Sequence, residues 1–300
     1  DEQEQQAGGH RAEVGELVTS LDMAGISLTL VYLDEELETY WTAPADTPAY
    51  KKGAAQASSG PRREALTEDD LAVEITPGSP ASAQAGARAV AALEAMAAAI
   101  RDAEDELARM DAIAGDGDHG RGMVKGVTHA VEAAKPVAEQ GAGVASVLAA
   151  AGDAWAAKAG GTSGVLWGAA LRSLGARLGD DSDDISGADV AAAVKAGADR
   201  MQELGKAQLG DKTMLDALLP FADALAAGVA QGKPLAQAWA DAAQVATSAA
   251  QETADLKPKL GRARPLAERS VGTPDPGATS LAMCTRVVGE VLGTADEGNE

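Results

Sequence analysis

Val90-Ala-Ala-Leu-Glu-Ala-Met-Ala-Ala-Ala-Ile100 sets Val90, Leu93, Met96 and Ile100 near helical spacing, and Leu107 continues the series. Alanine dominates the residues between, and small side chains let helices pack closely. The stretch predicts a helix that begins near Ala81. Val190, Val194, Met201 and Leu204 mark another, with Ser186 and Asp189 as a candidate capping pair. Further helical patterns cover roughly 121–134, 143–158, 164–178, 213–230, 234–255 and 277–292, and Pro220 is expected to kink its helix. No strand pattern stands out after residue 81. The reading is an all-α domain of about eight helices over residues 81–295.

Upstream the character differs. Ile26, Leu28, Leu30 and Tyr32 alternate with Ser27, Thr29 and Val31, a strand pattern. Asp34-Glu35-Glu36 reads as a turn, and Leu37 to Trp41 as a returning strand. One hairpin buries too little surface to stand alone. Residues 1–50 are therefore expected to be the end of a larger, truncated α/β domain. The polar start, Asp1 to Arg11 without an initiator Met, agrees with that expectation. Pro44, Pro48, Pro61, Pro77 and Pro80, with Gly53, Ser58, Ser59 and Gly60 between, mark a flexible linker drawn at 51–80.

The chain carries 46 acidic and 25 basic residues, a formal charge of −21, which argues against a nucleic-acid partner. No apolar run approaches the ~20 residues that a membrane-crossing helix needs, so no membrane partner is expected. Cys284 stands alone in the sequence; it allows no internal disulfide and fits a reducing, cytoplasmic setting.

Chemistry concentrates between the helices. Ala114-Gly-Asp-Gly-Asp-His-Gly-Arg-Gly-Met-Val124 puts Asp116, Asp118 and His119 in one short loop, with Asp111 just upstream. Carboxylates that close repel one another unless a cation sits among them. Mg2+ prefers oxygen ligands, usually one or a few carboxylates plus substrate phosphates. An EF-hand would need Gly at its sixth position and Glu at its twelfth; counted from Asp116 these are Arg121 and Val127. A plain acidic turn is the alternative.

Gly160-Gly-Thr-Ser-Gly164 leads into a helix, where free N–H groups and the positive dipole end favour an anion. Gly205 to Thr213 comes close to a P-loop, but Asp211 separates Gly210 from Lys212 and a helix stands where a strand is required. Gly272-Thr-Pro-Asp-Pro-Gly-Ala-Thr-Ser280 is a stiff turn before the last helix. Lys257, Lys259, Arg262, Arg264 and Arg269 form the most basic stretch of the chain, and arginine suits bidentate phosphate binding.

These loops occur together in one order. The chain resembles the ATP-dependent dihydroxyacetone (glycerone/erythrulose) kinases, specifically their C-terminal nucleotide-binding domain. The resemblance rests on Gly115-Asp-Gly-Asp-His-Gly120, Gly160-Gly-Thr-Ser-Gly164, Gly205-Lys206, Gly210-Asp-Lys-Thr-Met214, Gly261-Arg262, Glu268-Arg-Ser-Val-Gly272 and Asp275-Pro-Gly-Ala-Thr-Ser280. Thr19 to Leu30 and Ala43-Pro-Ala-Asp-Thr-Pro48 resemble the end of the family's ketose-binding domain. The resemblance implies an eight-helix barrel over 81–295 with Mg-ATP at one end. It implies that Asp111, Asp116 and Asp118 hold two Mg2+ ions. His119, Gly120 and Arg121 would lie along the phosphates, and Thr162 and Ser163 would donate to them. Gly205, Thr213, Met214, Arg262, Asp275, Pro276 and Gly277 would enclose ATP or ADP. Relatives often carry Asn where this chain has Gly122, so that position is not counted. The family's ketone-binding histidine has no counterpart in this sequence.

The function that the resemblance implies is ATP-dependent phosphorylation of a terminal hydroxyl of a short ketose, dihydroxyacetone or erythrulose. This chain would supply the Mg-ATP half of a homodimeric kinase and would require the ketose-binding domain as its partner. Two alternatives stand beside it. One is a phosphocarrier subunit that relays phosphate from a partner protein through tightly bound ADP. The other is a non-catalytic nucleotide-binding module.

Overall fold

The computed structural model describes residues 31–46, 51–52, 75–261 and 263–297. Contacts divide the chain into two compact units, Asp1–Ala72 and Val73–Glu300.

The first unit corrects one expectation. Leu37 to Trp41 do not form a strand but lie within helix α1, Glu35–Thr42. Asp34 is its N-cap, and the Asp34 carboxylate accepts a hydrogen bond from Leu37 N at 2.8 Å. Glu35, Glu36 and Glu38 then sit in the first turn, where the helix dipole favours negative charge. The acidic group read as a turn is thus a helix start. Strands β1, Ala45–Asp46, and β2, Lys51–Lys52, pair antiparallel. Lys51 and Lys52 stand at the start of the expected linker. Of the strand expected at Ile26–Tyr32, all but Val31 and Tyr32 lies outside the described residues, and these two belong to no regular element.

In the second unit, α2 spans Pro80–Asp102. Ser79 caps it, accepting from Ser82 N at 3.1 Å, and Pro80 occupies the first turn, where its missing N–H costs nothing. Val90, Leu93, Met96 and Ile100 all face the core, as their spacing predicts. The helix breaks at Ala103, and the short α3, Glu104–Asp111, carries Leu107 inward. There follow α4 (His119–Glu139), α5 (Val144–Lys158), α6 (Gly161–Leu178) and α7 (Gly187–Gly205). Next come α8 (Leu215–Ala230), α9 (Leu235–Glu252), the single turn α10 (Ala267–Ser270) and α11 (Pro276–Glu297). Ser186 and Asp189 form the expected capping box of α7. Pro220 falls inside α8, which continues to Ala230.

Among the described residues, eight helices are at least 15 residues long: α2, α4, α5, α6, α7, α8, α9 and α11. Each packs on the next in that order, and α11 returns to α2, so the ring closes. The expected all-α helical architecture is present. Its interior holds Trp155, Phe221, Leu93, Ile100, Met201 and Leu281, all buried. Trp155 and Trp167 stack with centroids 4.8 Å apart, and Phe221 meets Trp239 edge-on at 5.0 Å. With so few aromatics, close approach matters more than bulk. A Cβ at Gly152 or Gly168 would strike the other's carbonyl oxygen, so α5 and α6 touch backbone to backbone. No helix among the described residues is long and apolar enough to cross a membrane.

Candidate functional site

The acidic loop joins α3 to α4 at one end of the ring. The chain turns back after Asp111, whose carbonyl accepts from Gly115 N at 2.6 Å and Ala114 N at 3.2 Å. Gly117 lies at φ +77°, a left-handed conformation that glycine adopts without strain. The Asp111 carboxylate then accepts from Asp118 N at 3.0 Å and His119 N at 3.4 Å. The first turn of α4 is thereby tied to the last residue of α3. Gly120 is required here, because a Cβ would collide with the Glu104 carbonyl.

This turn gathers Asp111, Asp116 and Asp118, whose carboxylate oxygens lie within 4.8 Å of one another. Burial, and then the neighbouring Asp111 charge, raise the Asp118 pKa, with Arg121 opposing them. A hard divalent cation would relieve that repulsion, and the donor set is all carboxylate oxygen. The three residues therefore fit Mg2+.

The other loops meet this one in sequence. A Cβ at Gly122 would lie 3.5 Å from the Ala159 carbonyl, so α4 runs beside the glycine-rich loop. Gly160 is the N-cap of α6, with no side-chain cap bond, and Thr162 and Ser163 fall in the first turn. That turn presents backbone N–H groups beside the acidic loop. On the other side, His119 Nε2 lies 2.9 Å from Ser280 Oγ, which joins α4 to α11. Burial lowers the His119 pKa, against the raising effects of Asp111 and a hydrogen bond to the Pro276 backbone, so the imidazole is neutral at pH 7. Gly277 packs on Met214, whose Cβ would be 3.4 Å from a Cβ at position 277. Gly205 ends α7 against Leu166 of α6.

The loop 210–214 is held by Asp216, which accepts from Gly210 N at 2.5 Å and Thr213 N at 2.7 Å. Thr213 Oγ1 accepts in turn from Leu215 N at 3.2 Å. Asp275 donates its N–H to Thr253 Oγ1 at 2.8 Å, and its carboxylate caps α11 by accepting from Ala278 N at 2.8 Å.

The structure thus brings Asp111, Asp116, Asp118, His119, Gly120, Arg121 and the Thr162–Ser163 turn to one end of the ring. Met214, Asp275, Pro276 and Gly277 join them through contacts with one another and with His119. Arg262 lies outside the described residues. In the basic stretch, Lys257 pairs with Glu268 at 2.7 Å and Lys259 with Asp211 at 3.2 Å. Sequence reasoning did not assign Ser280 or Asp216, although both are buried and polar. A serine and an aspartate in or just beyond a recurring loop motif are the only trace that such residues leave in a sequence.

Burial pushes the Asp275 pKa up to about 7, and nearby Asp216 adds to the shift. An acid whose pKa is raised on folding stabilises the fold fully below its unfolded value; that contribution is lost as pH rises toward 7. Asp275→Asn keeps an oxygen to accept from Ala278 N and removes the charge. The variant should match the parent in melting temperature near pH 3.5, exceed it increasingly from about pH 4 to about pH 7, and keep a constant margin above that. A difference that stays constant from about pH 4 to about pH 7 would contradict this assignment.

The DAK2 domain family matches residues 113–290, and the Dak1 domain family matches residues 2–49. The chain is 61% identical over 302 residues to a D-erythrulose kinase of Mycolicibacterium smegmatis, covering 95% of this chain and 50% of that protein. It is 33% identical over 184 residues to the ADP-binding subunit DhaL of a PEP-dependent dihydroxyacetone kinase of Listeria innocua, covering 61% of this chain and 85% of the subunit. Among solved structures it is similar to the dihydroxyacetone kinase of C. freundii in complex with AMP-PNP and Mg2+. That match has a TM-score of 0.52 and 26% identity, and covers 87% of this chain and 42% of the other. The chain spans about half the length of the curated erythrulose kinases it matches.

Proposed function

This chain belongs to the dihydroxyacetone kinase family, and from that premise we propose that it supplies the Mg-ATP-binding part of a kinase that phosphorylates a terminal hydroxyl of a short ketose. The observation that carries the proposal is the carboxylate cluster at the start of α4, with three ligand oxygens within 4.8 Å. The kinase of C. freundii, solved with AMP-PNP and Mg2+, supports the choice of ligand. The similar erythrulose kinases support erythrulose as acceptor, and the kinase of C. freundii supports dihydroxyacetone.

In this reading Asp111, Asp116 and Asp118 hold two Mg2+ ions, which would neutralise charge on the phosphate oxygens during transfer. The protein's own part is positioning. Backbone N–H groups of Gly120 and Arg121, and the Thr162 and Ser163 hydroxyls, orient the phosphates, with His119 beside them. Neutral His119, fixed by Ser280, adds no charge to the cluster. Gly205, Thr213, Met214, Arg262, Asp275, Pro276 and Gly277 enclose the nucleotide and exclude water. The ketose is held by the family's ketose-binding domain, and the working protein is a homodimer in the cytoplasm.

The similarity to an ADP-binding subunit favours one second reading, a phosphocarrier whose ADP stays bound and is rephosphorylated by a partner protein. Nucleotide exchange separates the two. Bound labelled ADP should leave within seconds when unlabelled Mg-ATP is added to a kinase. Retention through repeated rounds of phosphate transfer would favour the carrier instead.

A further inference from the structure

Lys212 has a buried ammonium group that the nucleotide site, as described, does not use. Its residue is 5% exposed and sits at φ +59°, in the left-handed region, where a residue with a Cβ is uncommon. Backbone strain and a buried charge are both costly, and together they mark a position set by function more than by packing. Lys212 Nζ donates to the Leu256 carbonyl at 3.1 Å and to the Ser270 carbonyl at 2.7 Å. Those carbonyls bracket residues 257–269, which hold the basic stretch. Gly272 N donates to the Ala254 carbonyl at 2.9 Å just outside them, so the segment is pinched at its base. Thr213 and Met214, the next residues along the chain, belong to the proposed nucleotide enclosure; burial lowers the Lys212 pKa, with the charges of Asp275 and Asp255 opposing it.

We infer that Lys212 is a positioning residue, which fastens both ends of the 257–269 segment to the 210–214 loop so that the two close on the nucleotide together. It need not touch the nucleotide to act. Its ammonium replaces hydration with two carbonyls, of which that of Ser270 also accepts from Thr273 N at 3.1 Å. Without it, the segment would remain joined at its base by the Gly272–Ala254 bond, and to the loop only near its start, by the Lys259 N–H to the Asp211 carbonyl at 3.2 Å and by the Lys259–Asp211 ion pair, while its far end at Ser270 would lose its tie to the loop's Lys212. This inference rests on the proposed Mg-nucleotide site.

The test uses the 300-residue chain and Mg-ADP. Lys212→Met keeps the aliphatic stem and removes the charge and donors. Lys212→Arg keeps both charge and donors. The Met variant should bind Mg-ADP at least tenfold more weakly, with unchanged helix content. Trypsin should cut it faster within 257–269, where the segment offers its own Lys and Arg residues. The Arg variant should restore binding to within about threefold of the parent and restore resistance to trypsin. A Met variant that binds as the parent does would overturn the inference while leaving the site reading intact. Failure of the parent itself to bind Mg-ADP would remove the site reading, and the inference with it. Should the Met variant not fold, the Arg variant decides: binding more than tenfold weaker in a folded protein would overturn the inference.

Discussion

Asp118→Asn is expected to weaken Mg-ADP binding by about 100-fold or more while leaving the nucleotide-free protein as stable as the parent or more so. Replacing even an outer partner of a metal ligand costs about 10–100-fold in metal affinity, and a direct ligand should cost the upper end of that range or beyond. The stability half of the expectation follows from the site's electrostatics. Burial and the Asp111 charge raise the Asp118 pKa, so at neutral pH the folded protein bears an unfavourable carboxylate there. Asparagine removes it. The backbone bond from residue 118 to the Asp111 carboxylate does not involve the side chain and persists. Calorimetric titration with Mg-ADP and thermal melts of the nucleotide-free forms check both halves. A variant that binds normally would remove Asp118 from the metal site. A variant that melts well below the parent would make the residue structural.

The second large effect concerns the acceptor. A polypeptide of these 300 residues, with no other chain present, should bind Mg-ATP yet form no detectable dihydroxyacetone phosphate. The Dak1 match is confined to residues 2–49, and the chain spans about half the length of the erythrulose kinases it matches. Holding two reactants in attack geometry contributes about 7–11 kcal/mol to lowering a barrier. Losing it slows transfer by roughly five orders of magnitude or more. Slow ATP hydrolysis should remain and should not respond to ketose. A coupled assay of ADP release with and without dihydroxyacetone measures this, and adding a relative's ketose-binding domain as a separate chain should restore turnover. Ketose-dependent turnover by the 300 residues alone would show that they hold the acceptor themselves.

The helices were legible because their apolar residues recur at helical spacing and their caps are local. Ser186 with Asp189, and the Val90–Ile100 series, carry their own signals. The break at Ala103 was not legible, since Leu107 continues the periodicity of α2 into α3. Leu37 to Trp41 were misread because a few alternating residues fit either regular structure, and the deciding interaction is the Asp34 cap. Closure of the ring depends on α11 returning to α2, a contact between the two ends of the helical unit that no local pattern encodes.

The candidate site divides the same way. Asp111, Asp116 and Asp118 are close in sequence, and glycines betray the loop. The residues that hold the loops together are distant partners. His119 meets Ser280, Gly277 meets Met214, and Lys212 reaches Leu256 and Ser270. Each is an ordinary residue type in an ordinary setting until the chain is folded.

Calorimetric titration of the unaltered chain with ADP, once with Mg2+ and once with excess chelator, tests the central claim most directly. The carboxylate cluster predicts tight binding with Mg2+ and none that can be measured without it, because three aspartates repel a bare diphosphate. Equal affinity under both conditions would contradict the assignment of Asp111, Asp116 and Asp118 as the metal bridge.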